Sequence, residues 1–87
     1  MNNIQRAGAD VRSTYDPATT IIRMDELLAM TGIKSRVTVH NRLKDDPTFP
    51  RPVPLSDNKY RGSPVGFVLA EVQAWIRQRI ALREVAA

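Results

Sequence analysis

The chain has 87 residues, a formal net charge of +4 and a pI near 10.1. A chain of this length builds one small domain around one core, which leaves no volume for a buried active-site cleft. It contains no cysteine and one histidine, which excludes a disulfide framework, a thiolate zinc site and a histidine-rich metal cage. We therefore expect neither a metal nor another cofactor.

No apolar stretch approaches the ~20 residues that a bilayer requires, and the N-terminus lacks the apolar region of a secretory signal. The sequence thus predicts a cytoplasmic protein.

The positive charge is concentrated in the middle of the chain. Residues 34–61 contain seven Lys or Arg and three Asp, which accounts for the whole net charge of +4. A local excess of positive charge attracts a polyanion. A basic surface without a specific ligand is the alternative interpretation, and the charge alone does not decide between the two.

Residues 1–18 show neither helical nor strand periodicity and end at Asp16-Pro17, a turn-forming pair. We predict a flexible N-terminal arm over 1–18 and a folded domain over 19–87.

Two short helices are predicted next. From Thr19 the pattern changes: Ile21-Ile22 precede Asp25-Glu26, carboxylates that suit a first helical turn, and the helix should end at Thr31-Gly32. Ser35 is a good N-cap for a second helix that runs to the stop at Asp45-Asp46-Pro47. A short helix, a glycine-containing turn and a polar second helix are typical of a helix-turn-helix.

The second helix has two faces. Val39 and Leu43 lie four residues apart on one stripe, which we expect to pack against the first helix. The rest of the arc is polar, and such a helix can enter a major groove, where Arg reads guanine and Asn reads adenine. An ordinary solvated helix face is the alternative. The candidate DNA-binding residues of this helix are Ser35, Arg36, Val37, Thr38, His40, Asn41 and Lys44.

Prolines at alternate positions of residues 49–55 remove every second backbone donor, so this segment is predicted as an edge strand. Turn residues separate it from the apolar run 65–68, which gives a two-stranded hairpin. The hairpin tip carries Lys59, Tyr60 and Arg61. We predict that Lys59 and Arg61 contact phosphates or the minor groove, as a wing does, with a mobile solvent loop as the alternative.

A last helix is predicted from about Leu69, with apolar residues at three- and four-residue spacing. Trp75 lies beside this stripe and is expected to anchor the core. Three arginines, at positions 77, 79 and 83, are predicted to point away from the stripe.

The order of these features resembles the AlpA family of prophage and genomic-island regulators, small winged members of the MerR-like helix-turn-helix group that includes excisionases. The resemblance covers residues 19 to about 80. It is carried by Arg23, Asp25-Glu26, Leu27-Leu28, Thr31-Gly32, Ser35-Arg36, Thr38-Val39, Phe49-Pro50-Arg51-Pro52-Val53, Gly66-Phe67, Glu71-Val72 and Ala74-Trp75. The chain departs from the family pattern by an extra residue between Gly32 and Ser35, by His40-Asn41, by Arg42 in an aliphatic position, and by a longer loop over 56–63.

The resemblance implies an α+β winged helix-turn-helix that binds double-stranded DNA at specific sites near a promoter or an attachment site. The protein would then act as a transcriptional regulator, as an excisionase (a recombination directionality factor that assists an integrase), or as both. An integrase and further copies of the chain are the implied partners, and the nucleoid is the implied location. The alternative is a protein-interaction adaptor that reuses the fold without binding specific DNA. We do not expect an enzyme, because His40 has no cysteine, paired carboxylate or glycine-rich loop to work with.

Overall fold

The computed structural model describes residues 15–58 and 60–86, with no side-chain placement for the last two of these. The elements in chain order are a 3-10 turn (Pro17–Thr19), β1 (Ile21–Ile22), α1 (Met24–Thr31), α2 (Arg36–Asp45), β2 (Val53–Pro54), β3 (Val65–Val68) and α3 (Leu69–Ala86). The expected α+β class is confirmed. Residues 1–14 of the predicted arm and Lys59 lie outside the described residues, and the domain boundary after residue 18 stays a prediction.

The helix-turn-helix is confirmed with its predicted caps. Helix α1 ends at Gly32, whose φ of +76° is the left-handed conformation that glycine adopts readily, and the Gly32 N–H donates to the Leu28 carbonyl at 2.9 Å. Helix α2 begins at Arg36, directly after its N-cap Ser35, and it ends at Asp45 as predicted. The local sequence therefore determines both boundaries of the turn.

The first helix has the predicted acidic residues in its first turn, but the strand that precedes it was not predicted. Ile21–Ile22 form strand β1, which pairs antiparallel with β3 in the register Ile21 to Val68 and Ile22 to Phe67. The helix begins only at Met24, after Arg23, whose backbone N–H donates to Oε1 of Glu26 at 2.9 Å. Two β-branched residues favour a strand when a partner is present. That partner lies far along the chain, so the local pattern did not show it.

The predicted hairpin of β2 and β3 is present and gains β1 as a third strand. The order is β1-β3-β2, so β2 is an edge strand, as its prolines predicted. Gly66 in the central strand β3 pairs with Val53. A Cβ at Gly66 would collide with the Ile21 side chain and lie 3.1 Å from the Ile22 carbonyl oxygen. The missing side chain is what lets β1 approach β3 this closely.

The core takes side chains from both sheet and helices. Its buried residues are Ile22, Leu27, Val39, Phe49, Phe67, Val72 and Trp75. The rings of Phe49 and Trp75 meet edge to face, with centroids 4.9 Å apart and an interplanar angle of 80°, a favoured aromatic geometry. Each of α1, α2, β1 and β3 contributes one buried side chain, so the core fixes the position of every one of these elements.

Helix α3 begins at Leu69 and buries Trp75, as predicted. The prediction that its arginines point away from the stripe was wrong for two of them. The Arg79 guanidinium lies 5.9 Å from the centre of the Trp75 ring, and Arg79 and Arg83 line a groove together with Ile76. Positions 79 and 83 continue the helical stripe of Val72 and Ile76 at three- and four-residue spacing. Beyond Ile76 the stripe therefore carries Arg79 and Arg83 beside the apolar Ile80.

Candidate nucleic-acid interface

The N-terminal end of α2 is held by two hydroxyl side chains. Oγ of Ser35 accepts a hydrogen bond from the Thr38 backbone N–H at 3.2 Å, and the two hydroxyl oxygens lie 3.0 Å apart. No acidic residue lies in the first turn of α2. The partial positive charge of this helix end is therefore not compensated within its own turn, which favours an anion nearby.

The outward face of α2 is exposed as predicted. Val39 is fully buried and Leu43 packs against the core, whereas the Val37 side chain is 67% exposed. The other exposed residues of this face are Arg36, His40, Asn41 and Lys44. Their placement suits base contacts, and whether they make such contacts stays a prediction.

Arg36 lies beside a carboxylate of the preceding helix. Its Nη2 is 3.4 Å from Oδ1 of Asp25, in the first turn of α1. The side chains are 63% and 89% exposed, and an ion pair this exposed contributes less than about 1 kcal/mol. The pair thus orients the Arg36 guanidinium without holding it strongly.

A cleft of about 480 Å³ lies between the N-terminal ends of both helices and the base of the hairpin. Its basic residues are Arg23 and Arg36, and the hairpin side is formed by residues 62–65. Nε of Arg23 donates to the Val65 carbonyl at 3.0 Å, which joins the start of α1 to β3. Arg23 was not among the predicted site residues. The sequence signal for it was its place just before the acidic pair Asp25-Glu26.

The loop between β2 and β3 is closed at its base by the Leu55 N–H, which donates to the Pro64 carbonyl at 3.0 Å. Between the tip and β3 the Ser63 N–H donates to the Tyr60 carbonyl at 3.1 Å, and Gly62 takes a φ of +86°. Arg61 is exposed there and the Tyr60 side chain is 77% exposed. The described part of the predicted wing therefore presents its charge to solvent, and Lys59 lies outside the described residues.

Two of the seven basic residues in the central segment are used elsewhere. Arg51 donates to the carbonyls of Leu43 and Asp46, both at 2.7 Å, and so caps the C-terminal end of α2. Arg42 lines the groove beside α3. The charge available to a polyanion at the cleft and wing is therefore smaller than the central +4 indicates, with Arg23 as an addition from outside that segment.

Asp46 joins the end of α2 to α3. Its Oδ1 accepts from the hydroxyl and the backbone N–H of Thr48 at 2.6 and 2.9 Å, and its Oδ2 accepts from the indole Nε1 of Trp75 at 3.0 Å. These hydrogen bonds, the Thr48 hydroxyl first, and the nearby positive charge of Arg79 lower the pKa of Asp46 from 3.8 to about 2. Both ends of α2 are thus fixed while its outward face stays free.

Residues 20–80 match the family model described as Prophage CP4-57 regulatory protein (AlpA). The chain belongs to the AlpA family. AlpA proteins are phage regulatory proteins and not a family of enzymes, and the fold described above is a small winged helix-turn-helix of the DNA-binding type. Comparisons with curated proteins and with solved structures give no match.

The AlpA match spans α1, α2, the hairpin and α3 as far as Ile80. Within 15–58 and 60–86, this AlpA chain has no group of three or more His, Cys, Asp or Glu side chains arranged to hold a metal ion. None of the helices in those ranges combines the length and the hydropathy that a membrane span needs.

Proposed function

We propose that this AlpA-family protein binds double-stranded DNA at specific sites, with α2 in the major groove and the hairpin as a wing on the adjacent backbone. One observation carries the proposal: the N-terminal ends of both helices and the base of the hairpin surround one cleft that contains Arg23 and Arg36. In a winged helix-turn-helix these are the parts that straddle a DNA strand when the second helix lies in the groove.

The proposed base contacts come from the exposed face of α2. Arg36 would pair with guanine O6 and N7, and Asn41 with adenine N6 and N7, because those side chains match the base edges with two hydrogen bonds each. Val37 would contact a thymine methyl group. His40 and Lys44 lie on the same face, further along the helix, and would reach bases or the neighbouring phosphates.

The proposed phosphate contacts surround this face. The capped N-terminal end of α2, with Ser35 and Thr38, would receive one phosphate. The wing would contribute Lys59 and Arg61, and Arg23 would contribute from the cleft. Such contacts fix the position of a protein on the duplex and carry no sequence information.

The biological role we propose is regulation of a prophage or mobile element, by activating or repressing a promoter, by assisting an integrase in excision, or by both. A single module of this size covers only part of a site, so we propose that several copies bind side by side at repeated sites. The corresponding location is the cytoplasm, on the nucleoid.

The first experiment is selection from a pool of random duplexes in competition with nonspecific DNA, followed by titrations across salt concentrations. We expect an enriched motif, and a fall of log K with log salt that corresponds to roughly four to seven phosphate contacts at about −0.9 per contact. Arg36→Ala should weaken binding to the selected site about ten- to a hundredfold. Arg77→Ala, on an exposed part of α3 away from the cleft, is the charge-matched control and should change binding less than threefold or so.

Two results would overturn this function. One is binding that is indifferent to sequence, and the other is an Arg36→Ala variant with unchanged affinity for the enriched site. An integrase excision assay and a promoter-reporter assay, each with and without the protein, then separate the two roles, because both excisionases and transcription regulators can bend DNA.

A further inference from the structure

A second surface lies apart from the cleft, between the helix-turn-helix and α3. It is a groove of about 380 Å³, here called the arginine-rimmed groove. Its floor is formed by Ile33, Trp75, Ile76 and Ile80 and its rim by Arg42, Arg79 and Arg83. None of these residues lines the cleft between the two helix N-termini and the hairpin.

The floor is apolar, and it is open to solvent at Ile80. The Ile80 side chain is 49% exposed, although it follows Ile76 on the same helix and Ile76 packs against the core. Helix α3 extends beyond the core, so its inward stripe loses its partner near Ile80. Covering such side chains with apolar atoms releases water and is favourable at about 25 cal/mol per Å².

The rim is positive. Asp46 lies near Arg79, but its carboxylate oxygens already accept hydrogen bonds from Thr48 and Trp75. Among the residues that the structure describes, the one ion pair within 4.0 Å is Arg36 with Asp25, so no carboxylate lies that close to the guanidinium groups of Arg42, Arg79 or Arg83. No acidic residue lines the groove. An apolar floor framed by three guanidinium groups is complementary to an apolar segment flanked by Asp or Glu.

We propose that the arginine-rimmed groove binds an acidic, amphipathic segment of a partner protein. A second copy of this chain is a poorer occupant groove to groove, because that contact would bring two sets of three arginines together. A nucleic acid would satisfy the arginines but would leave the isoleucine floor uncovered. The proposal adds a protein-binding activity and does not rest on DNA binding, because the groove shares no residue with the cleft.

The fluorescence of Trp75 can report binding in the groove. It is the single tryptophan of the chain and it lines the floor. Its emission should therefore change when an apolar side chain enters the groove. The probe is a short synthetic peptide with Leu at helical three- and four-residue spacing and Glu at the other positions. The matched peptide has the same composition in a shuffled order that has no apolar face.

We expect the amphipathic peptide to shift the Trp75 emission and to bind at least about tenfold more tightly than the shuffled peptide. The double variant Arg42→Ala/Arg83→Ala should weaken binding about tenfold, because it removes two charge contacts. Ile80→Ser should weaken it by a similar factor. Arg77→Ala removes one charge from α3 outside the groove and should change the affinity less than twofold or so. Circular dichroism confirms that each variant is folded.

The proposal is overturned if the amphipathic peptide does not bind at millimolar concentration or if the two peptides bind equally. It is also overturned if Arg77→Ala and the groove variants lose equal affinity, or if duplex DNA competes fully with the peptide. Sedimentation of the free protein tests self-association, and a dimer that Ile80→Ser dissociates would assign the groove to a second copy instead. Affinity for the selected duplex is measured in parallel. Groove variants that lose the peptide and keep the duplex support the groove proposal independently of the proposed function.

Discussion

The indole Nε1 of Trp75 donates a hydrogen bond to Oδ2 of Asp46 at 3.0 Å, across 29 positions of the chain. The Trp75 ring is buried and therefore needs an acceptor for its N–H. Asp46 follows the last residue of α2 directly. One hydrogen bond thus fixes the end of the proposed recognition helix to the helix that completes the core.

This hydrogen bond should make stability depend on acid pH. The pKa of Asp46 is lowered from 3.8 to about 2 in the folded protein, so the ionised form is favoured by folding. The resulting stability is complete above a pH of about 4 and is lost as the pH falls towards about 2. Asp46→Asn lacks this contribution at every pH. We expect its melting temperature to lie below that of the wild type at pH 7, with a difference that narrows towards pH 2.

The control for the acid series is Asp57→Asn, which removes an exposed carboxylate from the wing loop. Its melting temperature should follow that of the wild type across the series. A constant difference between wild type and Asp46→Asn from pH 7 to pH 2 would contradict the assigned role of Asp46.

Ser35 has a structural and a proposed functional role that one pair of substitutions separates. Ser35→Ala removes the acceptor for the Thr38 N–H and should cost about 0.5–2 kcal/mol of unfolding free energy. Ser35→Asp restores a capping oxygen and should recover most of that loss. Its negative charge would face the proposed phosphate, so duplex affinity should fall further than in Ser35→Ala. Urea denaturation and duplex titration measure the two effects, and an Asp variant that binds DNA as the wild type does would contradict the phosphate contact.

Gly66→Ala should destabilise the sheet. The added Cβ would collide with Ile21, and an overpacked site of this kind costs about 1–3 kcal/mol. Ile21→Ala makes room at the same place. The double variant should therefore lose less unfolding free energy than the sum of the losses in the two single variants. A double-mutant cycle on thermal unfolding measures this difference. Strict additivity would show that the collision with Ile21 is not the cause.

Asp25→Asn should strengthen DNA binding. The substitution removes a carboxylate from the cleft and leaves the Arg36 guanidinium free to bind a phosphate or a base. We expect duplex affinity to rise several-fold and unfolding free energy to change by less than about 1 kcal/mol, since the pair is exposed. Glu71→Gln removes a carboxylate that does not line the cleft and serves as the control. A weaker Asp25→Asn complex would mean instead that Asp25 holds Arg36 in its binding orientation.

The helix-turn-helix could be predicted from the sequence because its determinants are local. Gly32 and Ser35 mark the two ends of the turn, and the four-residue spacing of Val39 and Leu43 gives the buried face of α2. The edge position of β2 followed from its prolines for the same reason.

Other features depend on partners far along the chain. Strand β1 exists because β3 pairs with it. Arg51 is unavailable for DNA because its guanidinium is hydrogen-bonded to the Leu43 carbonyl at the end of α2. Arg79 continues the apolar stripe of α3 beyond the edge of the core, where spacing gives no sign that the core has ended. The contacts of the candidate site with DNA stay a prediction.

Helix α2 is held to the domain by its caps and by Val39 and Leu43, while its outward face has no part in the core. Substitutions on that face therefore carry almost no penalty in folding. Under the proposed function, a mobile element that enters a new host could acquire a different operator preference through a few codon changes on α2. Specificity in this scaffold can diverge rapidly while the architecture is conserved.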